Sequence, residues 1–345
     1  MSLPSVEIPL GAMRFNSDSQ KLEYFNGDIW MQVHTFTPNL ANSADVGPGP
    51  RAIHGCGYTP SGTDDEMDYN NIASQGNAVN FGNASTNHEH KKGTAANTTR
   101  GIWAGGNAPS SQTDSIDYVT ISSTGNASDF GNLTSVRNTL GSCGNGIRGI
   151  WAGGHDSNSG SPYNSNIINY INIATTGNAL DFGDTVNQAR DRNGVAVPTL
   201  GFISGGVTSS GNTNTIEKIT INTTGNAVDS GFDVIGGGSG GCSASHAGSG
   251  RCIMQGSGSS PWGIEQFNAY SMSNTYHFGD LPSDGQSESG SPCSPTRALF
   301  TCCGSYVNTI AYVTITTMGD AVDFGDLSKA RSAFGSLSNA HGGLY

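Results

Sequence analysis

The chain is short of charge and has no long hydrophobic run, and each shortage removes a class of protein. Charged residues are 12% and hydrophobic residues 34%, against 50 glycines in 345 residues. Such a polar, uncharged mixture suits short strands and tight turns better than helices. Lysine and arginine are scarce enough to leave a net charge of -12. Binding to nucleic acid needs clustered cations that displace counterions, and Lys91-Lys92 is the one basic pair, so no nucleic-acid partner is expected. Nothing is apolar for long enough to span a bilayer, and MSLPSVEIPLGAMRF has neither a basic start nor a long apolar run, so neither membrane insertion nor a signal peptide is expected.

Cysteine is present but unorganised. The seven residues include no CxxC pair and no zinc-finger spacing. Cys56, Cys143, Cys242, Cys252, Cys302 and Cys303 fall in predicted strands, where they read as small buried hydrophobes. Cys242 and Cys252 have a spacing that could bridge neighbouring strands, although the missing secretion signal favours thiols. His88-Glu89-His90 is the one HxH pattern. It falls in a predicted loop and reads as solvated polar residues, so no metal and no cofactor are expected.

What is present is a repeat. Thr124-Gly125-Asn126-Ala127-Ser128-Asp129-Phe130-Gly131 returns with drift, and its Asn column runs Asn77, Asn126, Asn178, Asn226, Asn274 and then Asp320. Units of this length signal propellers and arrays. In the unit beginning at Arg137, a short small-residue stretch precedes the apolar strand Arg148 to Ala152, closed by Gly153-Gly154. An alternating strand Ile167 to Ile173, a turn at Thr176-Gly177-Asn178 and a last strand through Phe182 follow. Four short strands per unit, with no helical period, predict an all-β six-bladed propeller.

The columns give reasons. Gly105-Gly106, Gly153-Gly154 and Gly205-Gly206 permit positive φ or close backbone approach. Ile116, Ile168, Ile216, Ile264 and Ile310 form one third-strand column, and Val119, Ile171, Ile219, Phe267 and Val313 another. These lie three apart and so point to opposite faces of a strand packed on both sides. Phe81, Phe130, Phe182, Phe278 and Phe324 are expected to wedge each outer strand against the next unit. Arg51, Arg100, Arg148, Arg251 and Arg297 head the second strands, and Arg137, Arg190 and Arg331 precede the first. They read as pairs with acids of their own unit, such as Asp129, Asp181, Asp229 or Asp323, in preference to a ring of cations around an anion channel. Asn and Asp of the repeat turns read as backbone caps.

Residues 1–47 are predicted as a β-hairpin attachment segment and 48–345 as the propeller, closed by the C-terminal strand pairing in the N-terminal unit. Gly11 to Asp18 and Lys21 to Trp30 read as two short strands around a polar turn, then an Asn26-Gly27 hairpin into a third. So small a piece must dock on something to be stable.

Paired glycines closing the second strand, an aromatic or β-branched third strand, then an aromatic and an Arg before the next short strand resemble the Kelch repeat, with Phe where that repeat has Trp. The phrase Gly11-Ala12-Met13-Arg14-Phe15-Asn16 followed by Leu22-Glu23-Tyr24-Phe25-Asn26-Gly27 and Trp30 resembles a short module of bacteriophage tail-fibre and related virion proteins. Together with the Thr-Gly-Asn-Ala-x-Asp-Phe-Gly repeats it is similar to virion proteins of marine phages that infect cyanobacteria. The resemblance implies a structural virion component for host attachment, assembled in the host cytoplasm, and by analogy with fibres a homotrimer. Arg14, Phe15, Tyr24, Phe25 and Trp30 are its expected virion-attachment residues, and other virion proteins its partners through residues 1–50.

Sialidase boxes, a nucleophile elbow and HExxH are all missing from the sequence, so an enzyme is not expected. The turns from third to fourth strand are uniform, whereas the connections from second to third vary and carry Tyr58, His155, Tyr163, Trp262 and Tyr306 among Ser, Gly and Asn. Rings amid small polar residues are a recognition composition, so these five are the expected ligand contacts, with a host-surface glycan or protein as partner. The loops 84–92, 234–241 and 282–292 are expected beside them. The alternatives are a capsid decoration or baseplate protein that reads no receptor, and a polysaccharide-degrading enzyme.

Overall fold

The computed structural model describes residues 8–16, 21–32, 50–89, 93–109, 111–235, 243–246, 250–255, 263–282, 290–301 and 306–340. The fold is all-β, and no helix among these residues is long and apolar enough to cross a membrane. The chain divides into two compact units, Met1–Ala41 and Asn42–Tyr345.

The first unit is an antiparallel sheet of three strands in chain order, β1 (Met13–Asn16), β2 (Lys21–Phe25) and β3 (Trp30–Gln32). The Asn26 side chain accepts the N–H groups of Asp28 and Ile29 at 3.0 and 2.8 Å and so shapes the turn between β2 and β3.

In the second unit the repeats become six antiparallel sheets, numbered I to VI in order of their second strands, and two two-stranded hairpins stand in the second-to-third connections of II (Asn107–Ala108 with Ser111–Gln112) and IV (Val207–Thr208 with Gly211–Asn212). Sheet I orders Gly335–Ser338, Arg51–Thr59, Gly62–Asn71 and Val79–His88, so the C-terminal strand pairs with the N-terminal repeat, Leu337 opposite Ile53. Sheet II contains Gly93–Ala96, Arg100–Ala104, Ser115–Thr120 and Ser128–Asn132, and sheet III Gly141–Gly144, Arg148–Ala152, Ile167–Asn172 and Leu180–Asp184. Sheet IV contains Asn193–Ala196, Leu200–Ser204, Thr215–Thr220 and Val228–Asp233, and sheet V Ser243–His246, Arg251–Gln255, Gly263–Asn268 and Tyr276–Asp280. Sheet VI has Arg297–Thr301, Val307–Thr314 and Val322–Arg331, with a single bridge from Cys293 to Ala298 where the others have a first strand.

The two isoleucine-rich columns of the third strands enter different cores, as a strand buried on both faces must. Ile168 packs with Phe182 and Ile203 between sheets III and IV, while Ile171 packs with Phe130 and Ile102 between II and III. Six such cores exist, each shared by consecutive sheets, and one of them joins VI to I through Leu299, Ile310, Phe324, Ala52 and Ile72. The Phe column is buried in these cores, each ring contributing about 2–3 kcal/mol.

The Asn-to-Gly phrase is the joint between sheets. In II and III, Gly177 N–H donates to Phe130 O at 2.8 Å, Ala179 N–H to Asn132 O at 2.8 Å, and Asn178 Oδ1 accepts Asn132 N–H at 3.1 Å. The cap expected of Asn therefore crosses to the neighbouring sheet. Gly131, at φ 148°, lies so close to Gly177 that an added Cβ would stand 2.4 Å from its carbonyl oxygen. Only glycine fits both requirements.

The second-strand arginines differ from expectation. Arg148 stacks over Tyr170 of its own sheet at 4.7 Å and donates to Ile221 O of sheet IV at 3.0 Å, and Arg51, Arg100 and Arg297 stack on Tyr69, Tyr118 and Tyr312 and donate to Ile121, Ile173 and Ile72 carbonyls in the same way. Arg251 reaches Ile315 O at 2.7 Å. They pair with backbone of the next sheet, not with Asp129, Asp181, Asp229 or Asp323, because the inter-sheet gap presents a strand-end carbonyl where the long planar donor ends.

Candidate functional site

The connections from second to third strand begin at tight turns held from beneath. Gly153 and Gly154 adopt φ 65° and 102°, and Gly105-Gly106 and Gly205-Gly206 repeat the pattern. In sheet I, Cys56 takes the first place at φ 66° and Gly57 the second. Arg137, wholly buried, donates to Gly153 O and Ile167 O at 2.8 Å each and contacts Asn169 Oδ1. Arg331 does the same from the far end of the chain, donating to Glu66 O at 2.6 Å and pairing with Asp68 at 2.7 Å. In sheet IV the buried partner of Glu217 is Arg192, at 2.8 Å, and not Arg190, which is 37% exposed and lies 3.5 Å from Asp191. Burial pushes the Arg137 guanidinium down to about 10, opposed by Asp156, so it remains a cation at neutral pH.

Four of the five expected ligand contacts form two pairs on these turns. The rings of His155 and Tyr163 are 5.8 Å apart and those of Tyr58 and Tyr306 are 6.0 Å apart, each pair tilted by a little over 40°. Tyr163 and Tyr306 are 45% and 41% exposed and both have positive φ, 60° and 54°. A bulky residue in that region is costly and marks an over-determined local structure. Tyr58 sits at a strand end opposite Thr63, not in a loop. Trp262 lies outside the described residues, as do His90, Cys242, Cys302, Cys303 and most of the segments 234–241 and 282–292.

The first pair belongs to a polar network that links sheets II, III and IV. Gln112 of the II hairpin donates from Nε2 to His155 Nδ1 at 2.7 Å and to His155 O at 3.0 Å, while its Oε1 accepts Ser157 N–H at 2.7 Å. That acceptor role fixes the amide orientation, so Nδ1 accepts and the neutral ring carries its proton on Nε2. Burial, then the nearby Arg190, lowers the His155 pKa against the pull of Asp156, so the ring is neutral at pH 7. Asn138 donates to Asn107 Oδ1 at 2.7 Å and Asn164 to Val207 O at 3.0 Å, joining the three connections into one surface. A neutral imidazole, a half-exposed phenol and amides, with Arg190 at the margin, form a surface suited to hydrogen-bonding and ring-stacking contacts with a polar, uncharged ligand.

Two expectations need correction here. His88 belongs to the strand Val79–His88 and is buried, its ring within hydrogen-bonding distance of Thr86 and 3.4 Å from Ser115 Oγ, so it is not a solvated loop residue, and 84–88 is strand. No group of three or more His, Cys, Asp or Glu among the described residues could hold a metal ion. Cys56, Cys143, Cys252 and Cys293 are buried, and burial pushes the Cys143 thiol up to about 12, far from a reactive thiolate.

The five expected attachment residues divide between the faces of the first unit. Arg14, Phe25 and Trp30 gather on one face, Arg14 lying 4.2 Å over the Trp30 ring and 2.9 Å from Glu23, whereas Phe15 and Tyr24 lie on the other. No family model and no curated protein matches the chain.

Proposed function

We propose that this chain is a non-enzymatic structural protein of a bacteriophage virion, of the tail-fibre or adhesin type. In this reading residues 48–345 form a six-bladed Kelch-like propeller, residues 1–47 attach it to other virion proteins, and the second-to-third connections contact the host surface. The six cores shared by consecutive sheets, the core joining VI to I and the C-terminal strand in sheet I support a closed propeller.

One contrast carries the recognition reading. The Thr-Gly-Asn turns are spent on neighbouring sheets, whereas the connections opposite present His155 with Tyr163 and Tyr58 with Tyr306, anchored by buried arginines. Paired rings on a rigid base give contact area at little entropic cost.

Antibody against residues 48–345 should decorate phage particles in electron micrographs, and the purified chain should block phage adsorption to host cells. Replacing Tyr163 and Tyr306 by Ala should abolish that block with the thermal melt unchanged. Undecorated particles would overturn the virion reading. Decorated particles with adsorption indifferent to both proteins would make it a decoration or baseplate component, and depolymerisation of host polysaccharide would make it an enzyme.

A further inference from the structure

The N-terminal sheet has two unlike faces. Register places Met13 opposite Tyr24, Phe15 opposite Leu22 and Tyr24 opposite Met31, so these five side chains share one face. The other face holds Arg14, Glu23, Phe25 and Trp30, joined by the Arg14–Glu23 ion pair, by Arg14 over the Trp30 ring and by the Phe25 and Trp30 rings 5.6 Å apart, with Glu23 only 5% exposed. That second face satisfies itself. Among the described residues the first carries no charge, and its side chains are 61% (Met13), 65% (Phe15) and 39% (Leu22, Tyr24 and Met31) exposed.

We infer that the apolar face is a self-association surface, on which a second copy of this chain stacks its own N-terminal sheet. Three observations commit it to that occupant. The described residues of this unit bury no apolar side chain, and a three-stranded sheet without a second layer has no core to hold it. A like sheet at roughly 10 Å supplies that layer. Side chains of this size at these exposures offer on the order of 500 Å² per copy, or about 1,000 Å² for a pair, the threshold for a specific interface. An uncharged face also selects an uncharged partner, and an isologous contact guarantees one, because each copy brings the same patch. The inference does not rest on the virion reading, since it concerns the isolated chain.

The test is the mass of the full chain in solution by sedimentation, beside a variant carrying Phe15→Asp and Leu22→Asp. The wild type should have the mass of two or more copies and the variant the mass of one, with the melt of the large unit unchanged. A wild type of single-chain mass at tens of micromolar, or a variant that keeps the wild-type mass, overturns the inference. Should the aspartates unfold the small sheet, Leu22→Cys provides an independent reading. On oxidation it should cross-link copies into a band at twice the chain mass, while Arg14→Cys on the opposite face should not. Equal cross-linking by both would sink the proposal.

Discussion

Five of the six junctions between sheets are built alike, and the junction of sheets IV and V is not. At the five, an arginine reaches an isoleucine carbonyl of the next sheet, a glycine N–H reaches a phenylalanine carbonyl, and an Asn or Asp side-chain oxygen accepts an outer-strand N–H. At IV and V, Leu200 stands in the arginine's place and Lys218 in the tyrosine's. The outer strand reads Asp229-Ser230-Gly231-Phe232, one residue longer than Asp-Phe-Gly. The extra residue carries Gly231 away from the next turn, where an added Cβ would meet nothing within 4 Å. Instead Phe202, Phe232 and Phe267 pack together with ring centroids 5.1 to 6.3 Å apart, and the Thr275 hydroxyl donates to Asp233 O at 3.0 Å. Directional bonds fix register and packed rings fix separation, so one geometry is reached by either route provided the volume is filled.

The comparison can be broken most forcefully at its apolar side. Phe202→Ala removes one of three mutually packed rings and should cost about 3–5 kcal/mol, read from the urea midpoint. A loss under about 1 kcal/mol would mean that the rings do not hold that junction. Arg148→Leu copies sheet IV into sheet III. It removes a charged hydrogen bond and a stacked cation, and about 1.5–3 kcal/mol should go with them. If stability is unchanged, the polar junctions are held by their turns alone.

Acid should separate the junctions as well. His54, at the second-strand position where sheet V has Met254, bonds to Ser336 Oγ at 2.9 Å, and burial, then Arg331, pushes its pKa down to about 3 against a contact with Asn70. The unfolded chain therefore binds the proton first. The stabilisation is complete above the ordinary value of 6.5 and is lost as pH falls toward 3, at about 1.4 kcal/mol per pH unit. In a His54→Met variant the loss measured between pH 5.5 and 4.5 should shrink by about that amount. The smallest contrast is Asn178→Ala, which should lose about 1 kcal/mol, against Asn274→Ala at the odd junction, which should stay within about 0.5. Equal losses would show that the Asn column does no more than shape its own turn.

Periodic features are legible in the sequence. The Ile columns, the Phe column and the paired glycines each report a local demand, either burial on a strand face or positive φ, and sequence spacing encodes such demands directly. Partners were not legible. Every residue has a carbonyl, so no pattern could name Ile221 O as the acceptor of Arg148. The Tyr69, Tyr118, Tyr170 and Tyr312 column was written in the sequence, and its meaning needed the arginine above and the phenylalanine beside it. Spacing points to Arg190, whereas Arg192 fills the buried place, because its guanidinium enters the position of Arg137 from a Cα three positions later in the repeat. At the candidate site, composition marked His155, Tyr163, Tyr58 and Tyr306, yet the pairing of the rings and the Gln112 bridge depend on which sheets are neighbours.

The sequence by itself determined the number of repeat units, the second, third and fourth strands within them and the faces those strands bury, because hydrophobic period and glycine placement act over a few residues. Tertiary structure alone decided that the repeated Asn-to-Gly phrase joins one sheet to the next, that one junction in six is apolar, and that the small N-terminal sheet keeps its charges on one face and its bare apolar side chains on the other. Those outcomes depend on groups brought together from distant positions, and a hydrogen bond or a packed ring is set by distance in space, which spacing along the chain does not record.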